Sequence, residues 1–261
     1  PPSTGSTAFS SACGRAAVIT LYSYPGLFGV ADNNGYGLKV YAWLKLAGIA
    51  FTHQHLLDAS AAPRGQLPYI VDDGETIGDS DTIIAHLARK YRPAVDEGLT
   101  PSESDTNLLV SRLLDDLYWV MSYSRWKDER CWPAFIAAFR REHPALSEAA
   151  LLKAKEFNAQ RYHFQGIGRF APEAAYARGL DDLRVLANLV PADGFVHGPK
   201  AGSVDCAIYG FVANIWFYDI DTPLKQFVAA HGNLIRHCTA LHTMATARSE
   251  PPPSDRKGDK R

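Results

Sequence analysis

The sequence lacks a surplus of charge of either sign. Its 27 Lys and Arg residues stand against 28 Asp and Glu residues, which gives a formal net charge of −1 over 261 residues. A protein that binds nucleic acid or an anionic membrane surface through its overall charge needs a basic excess. We therefore expect no nucleic-acid partner. The 46% hydrophobic and 21% charged composition is that of a globular protein.

Cysteine is scarce, and its positions are far apart. Cys13, Cys131, Cys206 and Cys238 form no CxxC pair, and their spacing is typical neither of a zinc site nor of a disulfide framework. We expect free thiols in a reducing compartment, hence a cytoplasmic protein without a metal. Long apolar runs are missing as well. The longest, residues 207–218, is too short for a bilayer, so we expect a core helix and no membrane span.

Both ends of the chain are poor in large apolar side chains. Residues 1–17 are rich in Pro, Ser, Thr, Ala and Gly and contain no acidic residue, while residues 248–261 are rich in proline and charge. Such segments bury too little apolar surface to fold. We predict a disordered leader and a disordered tail, with a clipped targeting segment as the alternative interpretation of the leader.

The two halves of the chain follow different patterns. From Val18 to Tyr91, short β-branched and aromatic runs alternate with apolar positions at helical spacing, and Asp73-Gly74 marks a hairpin. Further along, only helical spacing recurs, apart from a weak strand signal at 194–197. We predict an α/β domain at 18–93, a linker at 94–104 and an all-helical domain at 105–247.

A proline begins one of the predicted strands. Pro68 precedes strand 69–72 and cannot donate a hydrogen bond to a sheet, so its place needs a reason. A cis bond after Leu67 is one, because it turns the preceding main chain outward. Further on, Asp79 and Ser80 begin a helix, where free N–H groups form an anion site. Simple N-capping is the alternative interpretation of these two residues.

This order of elements, with a proline-led strand, an Asp-Gly hairpin and an acid-Ser helix start, resembles the N-terminal domain of glutathione transferases. More narrowly, it resembles their failed-axon-connections and metaxin-like branch, over about residues 19–244. The segments that carry the resemblance are Leu38-Lys39, Leu44, Ala47-Gly48, Gln66 to Ile70, Leu117-Tyr118-Trp119, Ser124-Arg125-Trp126, Gly166 to Arg169, and Val204-Asp205. The resemblance implies a thioredoxin-like N-terminal domain, an all-helical C-terminal domain and a homodimer.

The resemblance also implies a site for glutathione, as co-substrate, on the N-terminal domain. Leu67, flanked by Gln66 and Pro68, would bind the cysteinyl main chain of glutathione like an added strand. Asp79 and Ser80 would bind the γ-glutamyl end of the peptide. No metal is implied.

The segment that would activate the glutathione thiol departs from the family pattern. A thiol of pKa about 8.5 is only a few per cent ionised at neutral pH, so the thiolate needs a hydrogen-bond donor. Relatives place Ser, Cys or Tyr here, whereas this chain has Asn34, and Gly37 replaces the family's cysteine. We name Asn34 and Tyr24 jointly as donors. Residues 26–33 are either a mobile flap or an irregular loop.

The helical domain contributes aromatic and basic candidates. Tyr118, Trp119 and Tyr123 are expected either to line a pocket for a small hydrophobic electrophile or to belong to the core. Arg125 and Arg169 are expected to pair with carboxylates or to cap carbonyl groups rather than to contact substrate.

One further motif in the helical domain concerns folding. Asp205 resembles the third helical residue of the family's capping box, with a role in folding rather than in chemistry.

Two functions follow from these features. The first is a transferase that adds the glutathione thiolate to a small apolar electrophile. The alternative is a non-catalytic adaptor of the metaxin type, which the departure at residues 34–37 favours. Retention of Leu67-Pro68 and Asp79-Ser80 favours the first.

Overall fold

The computed structural model describes residues 19–247, and the predicted leader and tail lie outside the described residues. The N-terminal part is an α/β domain, and the C-terminal part is entirely helical. Its elements are β1 (Ile19–Ser23), α1 (Gly35–Leu46), β2 (Phe51–His55), β3 (Tyr69–Asp72), β4 (Glu75–Gly78), α2 (Ser80–Tyr91), α3 (Pro101–Trp126), α4 (Trp132–Glu142), α5 (Glu148–Gln165), α6 (Pro172–Leu189), α7 (Ser203–Trp216), α8 (Pro223–Ala229) and α9 (Gly232–Thr246).

The four strands form one sheet in the order β2-β1-β3-β4. Strand β1 is parallel to β2 and antiparallel to β3, and β3 and β4 form a hairpin. Asp73 and Gly74 in the hairpin turn have φ values of 50° and 86°. Both are positive, as a type I′ turn requires. The predicted hairpin and the thioredoxin-like arrangement of the N-terminal domain are confirmed.

Helix α1 joins the sheet to the helical domain. Its apolar residues Leu38, Val40 and Leu44 are fully buried. On the other side it contacts α7 through glycine: a Cβ atom on Gly210 would lie 2.4 Å from the carbonyl oxygen of Gly35. Only a residue without a side chain fits there, so the main chains of α1 and α7 touch across the domain boundary.

Helix α7 is the central helix of the C-terminal domain. All its residues from Val204 to Ile215 are buried, as the apolar run predicted. At its start, Asp205 Oδ2 accepts the N–H of Gly202 at 2.8 Å, and Oδ1 accepts from His237 Nε2 at 2.8 Å. The predicted capping role of Asp205 is confirmed.

Two boundaries differ from the expectations. Helix α3 begins at Pro101 behind a capping box of Thr100 and Glu103, so the predicted linker includes the first turn of this helix. The weak strand signal at 194–197 corresponds to an isolated bridge between Phe195 and Gly198 rather than to a strand.

Within residues 19–247, no helix combines the length and the apolar character that crossing a membrane requires.

Candidate functional site

The peptide bond between Leu67 and Pro68 is cis. Leu67 is buried with 7% of its surface exposed, and it lies just outside the sheet, because the pairing of β3 begins at Tyr69. Among the described residues, no backbone hydrogen bond uses the N–H or C=O of Leu67. Gln66 next to it is exposed. This segment therefore presents main-chain groups to which an extended peptide can bind.

Asp79 has two hydrogen-bonding roles at the start of α2. Its Oδ1 accepts the N–H of Thr82 at 3.0 Å, and its Oδ2 lies 3.3 Å from Nη2 of Arg64. Burial opposes ionisation of Asp79, but the hydrogen bonds from Thr82 and Arg64 hold its pKa below the ordinary value. The N-capping interpretation is confirmed for Asp79. Arg64, which sequence reasoning missed, is a lone exposed arginine in a loop and gives no recognisable signal.

Ser80 is only 5% exposed, and among the described residues its hydroxyl has no hydrogen-bond partner. It is the first residue of α2. The first N–H groups of a helix have no partner within the helix and carry partial positive charge. The Ser80 hydroxyl and the start of α2 together offer donors for a carboxylate.

Asn34 is the N-cap of α1, where its Oδ1 accepts the N–H of Tyr36 at 3.0 Å. Its side-chain amide nitrogen has no hydrogen-bond partner in residues 19–247. The cap thus uses the acceptor of this side chain and leaves its donor available, as the proposed role at the thiol requires.

The space that a side chain on Gly37 would need is filled by a carboxyl group. A Cβ atom on Gly37 would lie 1.6 Å from Oδ2 of Asp32. Asp32 is completely buried, and its Oδ1 accepts the N–H of Asn34 at 2.7 Å, while its Oδ2 has no hydrogen-bond partner within residues 19–247. Burial raises the pKa of Asp32 to about 8, against the hydrogen bond from the Asn34 N–H. Asp32 is therefore uncharged at neutral pH, which its place in an ordinary Asp-Asn-Asn-Gly turn did not indicate.

This burial predicts a stability that depends on pH. In the unfolded chain Asp32 loses its proton near pH 4, whereas in the folded chain it does so near pH 8. The folded state holds more protons in between, so stability falls as the pH rises through this window. Burial, and to a lesser extent the charge of His55, lowers the pKa of His53 to about 4. The titration of His53 therefore makes stability rise with pH between about 4 and 6.5, opposite to the effect of Asp32.

Asp32→Asn removes the titration and keeps the oxygen that accepts from Asn34. We expect the unfolding temperature of the variant to rise relative to that of the native chain between pH 6.5 and pH 8. Each pKa unit corresponds to about 1.4 kcal/mol, or about 3–5 °C for a protein of this size. Thermal unfolding followed by circular dichroism at both pH values measures this. A difference that is equal at both values contradicts the assignment.

Tyr24 follows β1 at the domain boundary. Burial, and to a lesser extent the nearby Tyr118, raise the pKa of Tyr24 to about 12, against the opposing charge of Arg161. Among the described residues its hydroxyl has no hydrogen-bond partner. By contrast, Ser23 is fully buried and its Oγ is 2.7 Å from Nε2 of His53. Tyr24 is therefore a protonated, unengaged donor, and Ser23 faces the other side of the strand.

The three predicted pocket aromatics lie in different places. Tyr118 is 9% exposed, and its ring centroid lies 5.1 Å from that of Tyr36 in α1, at the domain boundary. Trp119 is half-buried beside it, with ring centroids 5.4 Å apart. Tyr123 is 2% exposed and packs on Tyr162 within the helical core. The structure thus brings Tyr24, Tyr118 and Trp119 to one region and places Tyr123 apart from them.

Arg125 connects the two domains. It is 4% exposed and donates to the carbonyl oxygen of Asn33 and, at 2.6 Å, to that of Asn214. The side chain of Asn214 in turn donates to the carbonyl oxygen of Asp32 at 3.1 Å. Arg169 donates to the carbonyl oxygen of His163 at 2.8 Å. Both arginines cap carbonyl groups, which confirms the structural role predicted for them.

The loop at residues 26–33 is anchored on the helical domain. Leu27 is 1% exposed and belongs to a cluster with Phe135 and Tyr218, and the Gly26 carbonyl lies 2.9 Å from Nε2 of His143. These contacts are those of an irregular, packed loop rather than of a flap.

Histidines and cysteines are the remaining side chains that could bind a metal. His242 Nδ1 lies 2.9 Å from the Tyr209 hydroxyl, and Cys131, Cys206 and Cys238 are buried free thiols. In the part of the chain that the structure describes, no group of three or more potential ligands is placed to hold a metal ion.

Comparison with known proteins identifies the fold and the family. The family model "Glutathione S-transferase N-terminal domain" matches residues 36–131, and "Glutathione S-transferase, C-terminal domain" matches residues 179–241. A glutathione S-transferase of Ceriporiopsis subvermispora, solved in complex with glutathione, superposes with a TM-score of 0.57 at 19% identity. The match covers 89% of this chain and 100% of that one. The fold is therefore that of a glutathione S-transferase.

Two proteins are similar to this chain in sequence over most of its length. The chain is 30% identical over 208 residues to isoprene-epoxide–glutathione S-transferase of Rhodococcus sp. (strain AD45), covering 76% of this chain and 87% of the relative. It is 26% identical over 242 residues to Failed axon connections of Drosophila melanogaster, covering 86% of this chain and 57% of that longer protein. The chain belongs to the glutathione S-transferase superfamily, and its similarity to Failed axon connections agrees with the resemblance found in the sequence.

Proposed function

We propose that the protein binds glutathione and transfers it to a small hydrophobic electrophile. One observation carries the proposal: among the described residues, neither the main chain of Leu67 nor the hydroxyl of Ser80 at the start of α2 has a hydrogen-bond partner, and both lie in the same domain. These groups match the cysteinyl main chain and the γ-glutamyl end of the tripeptide that the family site holds. Gln66 and Pro68 flank Leu67, and Asp79 orients the start of α2.

Activation of the thiol falls to Tyr24 and Asn34. Raising the thiolate fraction needs a pKa shift of about two units, or about 2.7 kcal/mol. A hydrogen bond to a charged acceptor contributes about 1.5–3 kcal/mol, so one or two donors suffice. Tyr24 supports this role because it stays protonated to about pH 12 and is unengaged among the described residues.

The electrophile would lie between the domains, against Tyr118 and Trp119. The Rhodococcus relative, whose name gives it an epoxide substrate, supports a small electrophile. A homodimer and a cytoplasmic location complete the proposal. Tyr123 does not enter it, because it is buried in the helical core.

Titration calorimetry with reduced glutathione tests the binding step. We expect the native chain to bind, and Ser80→Ala to weaken binding tenfold or more, because the variant loses a hydrogen bond to a charged carboxylate worth about 1.5–3 kcal/mol. Ser104→Ala, an exposed serine in the first turn of α3, is the control and should leave the affinity unchanged.

Two other outcomes are informative. No binding by the native chain at millimolar glutathione would favour the non-catalytic adaptor, a function that the carboxyl of Asp32 in place of the family's cysteine also supports. Equal affinities for the native chain and Ser80→Ala would reject the site.

A further inference from the structure

Arg161 on α5 lies against three aromatic rings. Its guanidinium carbon is 5.1 Å from the ring centroid of Trp119 and 5.9 Å from those of Tyr118 and Phe157. Aromatic faces attract a cation at such distances, and more strongly where water is excluded. The three rings fix the guanidinium beside the two aromatics proposed to contact the electrophile.

The charge of Arg161 is not neutralised. Its Nη1 donates to Oδ1 of Asn158 at 2.9 Å, and Nη1 and Nη2 each lie 3.4 Å from the Tyr118 hydroxyl. Within residues 19–247, no carboxylate lies within 4.0 Å of Arg161. Other arginines of this domain differ: Arg178 binds Asp116 at 2.9 Å. A partly buried cation without an anion has donors that remain available to a ligand.

The same cation is at the domain boundary. Its charge acts on Tyr24, the proposed donor to the thiolate, and its neighbour Tyr118 contacts Tyr36 of α1. Arg161 therefore stands next to the place where the sulfur would meet its electrophile. Because its nitrogens point at the Tyr118 oxygen, the proton of that hydroxyl is left for another acceptor.

We propose that Arg161, with Tyr118, binds the oxygen of an epoxide and stabilises the negative charge that this oxygen acquires as the ring opens. The inference rests on the proposed function and deepens it: the electrophile is an oxirane on a small apolar group, rather than any apolar electrophile. The thiolate forms an S–C bond, the C–O bond breaks with its electron pair going to oxygen, and the alkoxide takes a proton from solvent. That proton balances the one lost by the glutathione thiol.

Only an electrophile that keeps the charged oxygen gains from Arg161. The epoxide oxygen is neutral in the ground state and nearly an alkoxide at the transition state, so the guanidinium binds the transition state more strongly. A chloride-displacing electrophile of the same shape releases its charge as chloride and leaves no oxyanion. The proposal therefore predicts a difference between two substrates that share one aromatic group.

The experiment compares glutathione transfer to styrene oxide and to benzyl chloride. The proteins are the native chain, Arg161→Met, Arg161→Lys and a control, Arg184→Met, which removes an exposed arginine of α6 that is 3.2 Å from Asp181. We expect Arg161→Met to lower kcat/KM for styrene oxide about tenfold or more and to change kcat/KM for benzyl chloride less than about twofold. Arg161→Lys should recover part of the loss, and Arg184→Met should match the native chain.

Three outcomes would overturn the inference. Equal losses with both substrates would give Arg161 a structural role and leave the proposed function intact. If the native chain turns over benzyl chloride but not styrene oxide, the inference about the epoxide fails and the proposed transferase function stands. No turnover of either substrate by a native chain that binds glutathione would reject the transferase function and this inference together. Circular dichroism of each variant checks that its fold is preserved, and titration with glutathione checks that its glutathione site is preserved.

Discussion

Arg125→Met is expected to lower the free energy of unfolding by about 3–5 kcal/mol, because hydrogen bonds from a charged donor to three oxygens are lost and each buried acceptor left without a partner costs about 1–3 kcal/mol. Arg125 is 4% exposed and serves the carbonyl oxygens of Asn33 and Asn214 as well as the Asn214 side chain at 3.0 Å. Methionine fills part of the volume but donates no hydrogen bond, so these oxygens stay buried without partners.

Urea unfolding followed by circular dichroism measures the effect. The matched control is Arg169→Met, because Arg169 also caps a carbonyl group, that of His163, but is exposed. We expect the control to lose less than about 1 kcal/mol. A loss of that size in Arg125→Met as well would show that Arg125 does not hold the domains together.

The same substitution should weaken glutathione binding under conditions where the variant is still folded. Asn34 follows two residues whose carbonyl oxygens accept hydrogen bonds from the helical domain. Arg125 donates to Asn33, and the Asn214 side chain donates to Asp32. Loosening this segment removes a preorganised donor from the site. Titration calorimetry on Arg125→Met and Arg169→Met measures the two affinities for glutathione. Equal affinities would show that the contact made by Arg125 does not affect glutathione binding.

Local patterns predicted most of the fold because the forces behind them are local. Asp73-Gly74 predicted a hairpin since a turn with two positive φ values favours these residues. Asp205, through its resemblance to the family's capping box, predicted a helix start, and such a box spans only four residues. The ends of the elements were less accurate, as at Pro101, where the capping box of α3 begins the helix inside the predicted linker.

The chemistry of the site was less accessible, since it depends on contacts far apart in sequence. Asp32 becomes uncharged only because α1 and its glycine at position 37 enclose it. Arg161 lacks a carboxylate among the described residues, which no spacing in the sequence reveals. Tyr123 fits the helical spacing of a pocket residue as well as Tyr118 does, and only the packing of α5 and α6 distinguishes their positions.

Tyr24→Phe is expected to raise the pKa of the bound glutathione thiol by about one to two units and to lower kcat/KM at neutral pH by about 10–100-fold. The proposed hydrogen bond from Tyr24 to the thiolate contributes about 1.5–3 kcal/mol, and 1.4 kcal/mol corresponds to one pKa unit or a tenfold rate. Since the pKa of Tyr24 is about 12, the hydroxyl stays a donor throughout the titration of the thiol.

The ultraviolet absorbance of the thiolate, titrated with pH in the glutathione complex, reports this pKa directly. Tyr22→Phe is the matched control, because Tyr22 lies on the same face of β1 and its ring stacks on Tyr69 at 4.5 Å. An unchanged thiol pKa in Tyr24→Phe together with a raised one in Asn34→Ala would assign activation to the amide alone. If neither variant moves the thiol pKa, the site holds glutathione without activating it, and binding without transfer becomes the function that the chain supports.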